Sequence, residues 1–146
     1  MKDVVVAAGV RTAQATLGGA LKDFTHQKLG EIVLREVMKR ASLEAKEIDQ
    51  VIFGCVGQGS DAPNVSRVIS LMAGLPKEIP AYTVARNCAS GIQAVVNAYQ
   101  EIQCGDAELV IAGGTECMSA LPYVSRDLRF GKRLKHSVMI DTLWEG

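Results

Sequence analysis

Short apolar runs alternate with segments of helical periodicity along most of this sequence. Segments with apolar residues three or four positions apart lie at 25–41, 63–73 and 89–103. The four apolar runs that separate and flank these segments lie at 4–8, 50–56, 81–85 and 109–112. Continuous apolar runs separated by helices favour a sheet covered on both faces. The pattern therefore predicts an α/β fold with layered helices around a mostly parallel mixed sheet.

Residues at the segment ends support these boundaries. Thr25 is a typical helix N-cap, and Gly105 is placed to end the third helix. From Ser119 onward the alternation stops, and no further strand is predicted. A basic stretch at 126–136 follows, which we interpret as a solvated loop. The chain is therefore expected to divide into a core at 1–118 and a second region at 119–146.

Composition excludes several functional classes. Sixteen basic and sixteen acidic side chains cancel, which argues against a nucleic-acid partner. The chain has 146 residues, 48% of them hydrophobic, which is enough for a hydrophobic core without disulfides or a structural metal. No apolar stretch is long enough for a membrane helix and no secretory signal is evident, so we predict a cytoplasmic protein without membrane contact. The four cysteines form no C-x-x-C pair and the two histidines add no cluster, so no metal site is predicted.

The junction between the third apolar run and the third helix is the strongest chemical signal. Cys88 lies there, directly before the small residues Ala89, Ser90 and Gly91. A helix N-terminus favours a thiolate, and its free amides can hold an oxyanion. Small neighbours would let a substrate carbonyl approach the sulfur. Cys88 is therefore the predicted catalytic nucleophile, in a reaction of the acyl-transfer type.

Several motifs occur in an order that is specific as a set. The segment 87–91, with Gln93 and Ala94, contains the nucleophile motif Asn-Cys-Ala-Ser-Gly. The other motifs are an opening run ending in Arg-Thr at 3–12, an entry to the second strand at 47–54, a Gly-Gly-Thr-Glu segment at 112–119 and the segment at 139–142. Together they resemble the N-terminal portion of the thiolase family, most closely its acetyl-CoA acetyltransferase members.

The resemblance implies a fold, a reaction and substrates. The fold is a thiolase-like N-terminal domain, incomplete in this chain, with the nucleophile elbow in 1–118 and the truncated start of a loop domain in 119–146. The reaction forms or cleaves acetoacetyl-CoA or another 3-ketoacyl-CoA through an acyl-Cys88 intermediate. The substrates are coenzyme A thioesters, and no permanently bound cofactor is implied; the residues that contact coenzyme A are not identified.

Thiolases take their base from a C-terminal cysteine, beside a Gly-His-Pro histidine and an Asn-Glu-Ala motif. None of these motifs occurs in this sequence. We therefore expect a fragment or split subunit that is inactive alone. Because the family buries the helix after Cys88 between two similar halves, we also expect a homo-oligomer or a second chain that supplies the missing half.

The other cysteines and the two histidines are expected to have no catalytic role. Cys55 has the C-x-G pattern of the family's second catalytic cysteine, but it lies at the end of the second strand, far upstream of Cys88, where that cysteine does not occur. Cys117 is expected to be a packing residue. His26 and His136 are expected at the surface or in capping roles. Ala85 stands where the family often has a small polar residue.

Three alternative functions are carried forward. Two are enzymes, a longer-chain 3-ketoacyl-CoA thiolase and a condensing enzyme of the ketoacyl-synthase kind; the latter is disfavoured by the Gly-Gly-Thr-Glu segment. The third is a non-catalytic module that carries coenzyme A esters or lipids.

Overall fold

Three parallel strands form the central sheet of the computed structural model, which describes residues 3–145. The strands are β1 (Gln50–Gly54), β2 (Ala81–Val84) and β3 (Val110–Gly114). Their order is β2-β1-β3, and Ile52 of the central strand lies opposite Tyr82 and Ala112. The predicted parallel sheet is confirmed.

Helices cover both faces of this sheet. The longer helices are α1 (His26–Ala41), α2 (Val65–Ala73) and α3 (Ser90–Cys104), with short 3-10 turns at Ala45–Glu47 and Met118–Ala120 and a terminal helix α4 (Thr142–Glu145). Side chains of a strand point alternately to its two faces. Val51 and Phe53 pack with Leu34 and Ile69 of the α1 and α2 layer, whereas the core around Ile52 contains residues of α3. The central strand is thus buried on both sides.

Local signals place the helix ends as predicted. The hydroxyl of Thr25 accepts a hydrogen bond from the amide of Lys28 at 3.2 Å, so Thr25 caps α1. Gly105 ends α3 in the left-handed conformation, at φ +85°, which glycine adopts without strain. No helix within 3–145 is long and apolar enough to cross a membrane.

The prediction of a strand at 4–8 is wrong. Residues 3–16 have no regular secondary structure, and Val6 is 87% exposed. A run of β-branched residues indicates side chains that fit a β-sheet. A strand forms only if a partner strand is also present to hydrogen-bond with it. In this structure β3 is an edge of the sheet, and no ladder joins it to the N-terminal run.

The expectation of no strand after Ser119 is also wrong. Two-residue strands β4 (Tyr123–Val124) and β5 (Ile140–Asp141) form an antiparallel pair. Such short strands contain no readable alternation, because their pairing joins residues about 17 positions apart. Every residue in 126–136 is exposed, as expected for a solvated loop.

Candidate active site

The carboxyl ends of the three parallel strands meet at one edge of the sheet. The residues that follow β1, β2 and β3 therefore lie together, as ligand sites of α/β sheets commonly do. A cleft of about 1690 Å³ runs along β3 from Leu109 to this edge, where its walls include Gly54, Cys88, Gly114 and Glu116. The predicted nucleophile is thus placed in a cavity large enough for a small-molecule ligand.

A tight turn connects β2 to α3 and contains Cys88. Cys88 is exposed and directly precedes Ala89, the N-cap of α3, so it lies within reach of the positive end of the helix dipole. Asn87 adopts a left-handed conformation at φ +46°, which asparagine tolerates better than most residues. The backbone therefore reverses direction immediately before the sulfur.

The side chain of Ser90 holds this turn together. Its buried hydroxyl accepts a hydrogen bond from the amide of Arg86 at 2.8 Å and donates one to the carbonyl of Asn87 at 2.6 Å. From the sequence, Ser90 is predicted only as a small neighbour of Cys88, and this role is not evident there. The available signal was a serine at the start of a helix, where its hydroxyl commonly bonds to nearby backbone.

Glycines allow α3 to start against the sheet. A Cβ atom on Gly54 would lie 2.3 Å from the backbone carbon of Ser90, and one on Gly114 would lie 3.2 Å from the Cα of Gly91. Side chains at these positions would displace the start of α3. The close backbone approach is what places the Cys88 turn beside the ends of β1 and β3.

The other three cysteines differ from Cys88 in environment. Cys55 is 1% exposed, and burial followed by the neighbouring Glu116 carboxylate raises its pKa to about 12. Cys117 is buried, and its thiol donates to the carbonyl of Phe24 at 3.1 Å. Cys104 is exposed, but it is the last residue of α3, far along the helix from the turn. Exposure and a place in the cleft coincide at Cys88.

The expected surface or capping role of His26 is wrong. Its side chain is buried, at 3% exposure, and neither ring nitrogen has a hydrogen-bond partner within residues 3–145. Thr115, just after β3, donates its hydroxyl to the carbonyl of His26 at 2.6 Å and so draws the start of α1 against the sheet edge. His136 is exposed, as predicted. Among the described residues that line the cleft there is no histidine.

Residues 3–145 contain no group of three or more histidine, cysteine, aspartate or glutamate side chains placed to hold a metal ion.

Comparisons with known proteins agree with the motifs and the fold. Residues 4–146 match the family model described as thiolase, N-terminal domain. The chain is 42% identical over 148 residues to an acetyl-CoA acetyltransferase of Syntrophomonas wolfei, covering 99% of this chain and 37% of that protein. It is also 42% identical over 146 residues to the mitochondrial 3-ketoacyl-CoA thiolase of Homo sapiens, with the same two coverages.

A solved structure shows the same architecture. The crystal structure of the Bacillus anthracis acetyl-CoA acetyltransferase superposes with a TM-score of 0.84 at 45% sequence identity, covering 89% of this chain and 33% of that chain. The chain spans 37% of the length of the two curated relatives described above. The shared domain, motif order and fold together show that this chain belongs to the thiolase family.

Proposed function

We propose that this chain is the nucleophile-bearing part of a thiolase-type acyltransferase, in which Cys88 accepts an acyl group from an acyl-CoA. The observation that carries the proposal is the position of Cys88: exposed, in the cleft, and directly before the N-cap of α3. Neither Cys55 nor Cys117 is accessible, because both are buried. Cys104 is accessible but lies at the opposite end of α3.

The first half-reaction transfers the acyl group to Cys88. The sulfur of Cys88 attacks the thioester carbonyl carbon, a new carbon–sulfur bond forms, and the bond to the coenzyme A sulfur breaks. The proton of the Cys88 thiol ends on the released coenzyme A, so the step balances without another reactant. The amides of Gly91 and Ile92 lie in the first turn of α3 and have no partner within the helix. Of the two, Gly91 lines the cleft, and its amide is the proposed donor to the oxyanion.

The second half-reaction needs a proton acceptor. Deprotonated acetyl-CoA attacks the acyl-Cys88 thioester to give acetoacetyl-CoA, and the reverse direction cleaves a 3-ketoacyl-CoA with coenzyme A. Cys55 is unsuited to this role because its raised pKa keeps the thiol protonated near neutral pH. We propose that the base comes from residues outside these 146, as the family resemblance implies, and that the chain alone completes only the first half-reaction.

The surface of α3 supports a partner for this chain. Ile92, Val95, Val96 and Tyr99 are large apolar residues on this helix, and Ile92 is 65% exposed. Exposed apolar surface of this kind marks an interface. We propose that a second copy or a second chain covers it in a cytoplasmic assembly. Sedimentation of a well-behaved monomer at micromolar concentration would contradict this part of the proposal.

Exchange of labelled coenzyme A into acetyl-CoA tests the first half-reaction, because it requires reversible acyl transfer but no second substrate. The wild-type chain is expected to catalyse this exchange. Cys88→Ser abolishes it, whereas the matched control Cys104→Ser, which alters the other exposed cysteine, retains it. Exchange that persists in Cys88→Ser contradicts the proposal. Binding of acetyl-CoA without exchange in the wild type would instead indicate a carrier module.

A second candidate substrate class is the longer-chain 3-ketoacyl-CoA thioester. The observation that favours it is the identity of 42% to the human 3-ketoacyl-CoA thiolase, equal to that for the acetyltransferase of Syntrophomonas wolfei. The same exchange experiment with an octanoyl thioester in place of acetyl-CoA separates the two classes. We expect acetyl-CoA to exchange faster, and faster exchange of the octanoyl thioester would reassign the substrate.

A further inference from the structure

The carboxylate of Glu116 joins the loops that follow β1 and β3. One oxygen, Oε2, accepts a hydrogen bond from the amide of Val56 at 2.8 Å. The other, Oε1, accepts from the amide of Gly57 at 3.0 Å and lies 3.7 Å from the sulfur of Cys55. Three consecutive residues after β1 thus donate to one side chain about 60 positions later in the chain. Hydrogen bonds to a carboxylate are stronger than those between neutral groups.

The packing around Glu116 leaves little room for another arrangement. A Cβ atom on Gly57 would lie 2.9 Å from Oε1 of Glu116 and 2.5 Å from a methyl carbon of Leu121. The amide of Thr115 also donates to the carbonyl of Gly54 at 3.0 Å, which brings the two loops together where they leave the sheet. A side chain at position 57 would therefore require the carboxylate of Glu116 and the side chain of Leu121 to move.

The thiol of Cys55 adds a third donor to the carboxylate. Burial and the nearby Glu116 raise the pKa of Cys55 to about 12, so the sulfur keeps its proton near neutral pH. A protonated thiol donates to the carboxylate, whereas a thiolate would repel it. The environment of Cys55 therefore suits a structural partner of Glu116, in agreement with its exclusion as a second nucleophile.

The loop that Glu116 holds is a wall of the cleft. Residues 56–60 line the same cavity as Cys88 and belong to no helix or strand. Within the loop, the amide of Gln58 donates to the carbonyl of Val56 at 3.0 Å, which shapes the turn but does not attach it to the rest of the site. The carboxylate of Glu116 attaches the start of this wall to the loop after β3.

We propose that Glu116 is a positioning residue for acyl transfer: by binding the amides of Val56 and Gly57, it sets the distance between the 56–60 wall and Cys88 that an acyl-CoA must fit. The inference rests on the proposed function, since it assigns a role in the acylation of Cys88. Glu116 acts through the loop and does not itself touch the reacting atoms.

The test compares Glu116→Gln with Glu78→Gln, a matched control at an exposed glutamate that lies outside the cleft. Glutamine has the length of glutamate, but its amide nitrogen cannot accept from a backbone amide, so one of the two bonds is lost. Three measurements are made on each full chain: hydrogen exchange of the peptide containing residues 55–60, the rate of Cys88 acetylation by acetyl-CoA, and the rate of Cys88 alkylation by iodoacetamide.

In Glu116→Gln we expect faster exchange at 55–60 and acetylation slowed by about tenfold, the effect of one lost charge-assisted hydrogen bond. Alkylation should stay within about twofold of the wild-type rate, because a small reagent does not need the wall. Glu78→Gln should leave all three unchanged. A merely structural role would instead slow acetylation and alkylation together.

Two results would overturn the inference while leaving the proposed function intact. One is acetylation of Glu116→Gln at the wild-type rate, and the other is hydrogen exchange at 55–60 that does not change. A wild-type chain that is never acetylated overturns the proposed function itself. The hydrogen-exchange comparison uses no acyl-CoA, so it decides separately whether Glu116 holds the loop.

Discussion

The hydroxyl of Ser90 donates a hydrogen bond of 2.6 Å to the backbone carbonyl of Asn87. This bond spans the turn that contains Cys88 and connects the first residue of α3 to the left-handed residue before the sulfur. The same oxygen accepts from the amide of Arg86, so one buried side chain satisfies both sides of the turn. The orientation of the proposed nucleophile depends on a residue that does no chemistry.

Replacement of Ser90 by alanine should loosen this turn. Ser90→Ala removes both hydrogen bonds of the hydroxyl and leaves the amide of Arg86 without its partner, which we expect to lower the free energy of unfolding by about 1–2 kcal/mol. Acetylation of Cys88 should slow by about tenfold as the sulfur loses its fixed position. Urea denaturation and intact-mass kinetics measure the two effects. Ser125→Ala, which removes an exposed hydroxyl bonded to Asp127, is the control and should change neither.

Because β1 and α3 are in close contact at Gly54, a side chain at this position should destabilise the fold. Gly54→Ala places a Cβ 2.3 Å from the backbone of Ser90, and because backbone cannot move as a side chain does, we expect a loss of about 3 kcal/mol or more. Gly91→Ala lies across the same contact, but its Cβ would come no nearer than 4.0 Å to the Cα of Gly114. Thermal unfolding should show a large decrease in Tm for Gly54→Ala only. Equal Tm values for the two variants would refute the packing argument.

The four cysteines should separate into two classes by reactivity. Brief treatment of the native chain with iodoacetamide at pH 8 should alkylate Cys88 and Cys104, which are exposed. Cys55 should react only after denaturation, because it is buried and its raised pKa leaves almost no thiolate at that pH. Cys117 is buried and should also need unfolding. Peptide mapping identifies the labelled positions, and early labelling of Cys55 would show that the loop after β1 opens readily.

Stability should depend on pH through Asp49. The amides of Leu109 and Glu108 donate to its carboxylate at 2.9 and 2.7 Å and hold the pKa of Asp49 below its usual value. A carboxylate whose pKa is lower in the folded state stabilises the fold above its unfolded pKa of about 3.9, and that contribution is lost as pH falls through the folded pKa. We therefore expect the wild type to be more stable than Asp49→Asn at pH 7, and this difference in the free energy of unfolding to shrink below about pH 4. A difference that is constant from pH 7 to pH 3 would contradict this assignment.

The parts of the fold that depend on interactions between residues close in sequence could be predicted from the sequence. Thr25 and Gly105 end their helices through interactions with residues a few positions away, and both were predicted correctly. The run at 4–8 looks like a strand by composition, but a strand needs a partner edge, which no local pattern specifies. His26 was misplaced for the same reason: its side chain is buried in the folded chain, and its carbonyl accepts a hydrogen bond from Thr115, 89 positions later.

The candidate site divides in the same way. Cys88 was predicted as the nucleophile because a cysteine between an apolar run and a helix is visible in the sequence. The positioning roles of Ser90 and Glu116 were not predicted. Ser90 was considered only for its small size and not for its hydrogen bonds, and the partners of Glu116 lie about 60 positions earlier in the chain. Side chains that position a nucleophile act through contacts that only the folded chain brings together.

The position of the acyl group on the chain decides whether Cys88 is the residue that carries it. The chain is incubated with acetyl-CoA, quenched in acid, digested, and analysed by tandem mass spectrometry for an acetyl thioester. We predict a single acetyl group on the peptide containing Cys88, absent in Cys88→Ser and present in Cys104→Ser. Cys88 would not be the acyl carrier if it showed no acetyl adduct despite its alkylation by iodoacetamide, or if the adduct were located on Cys104 instead.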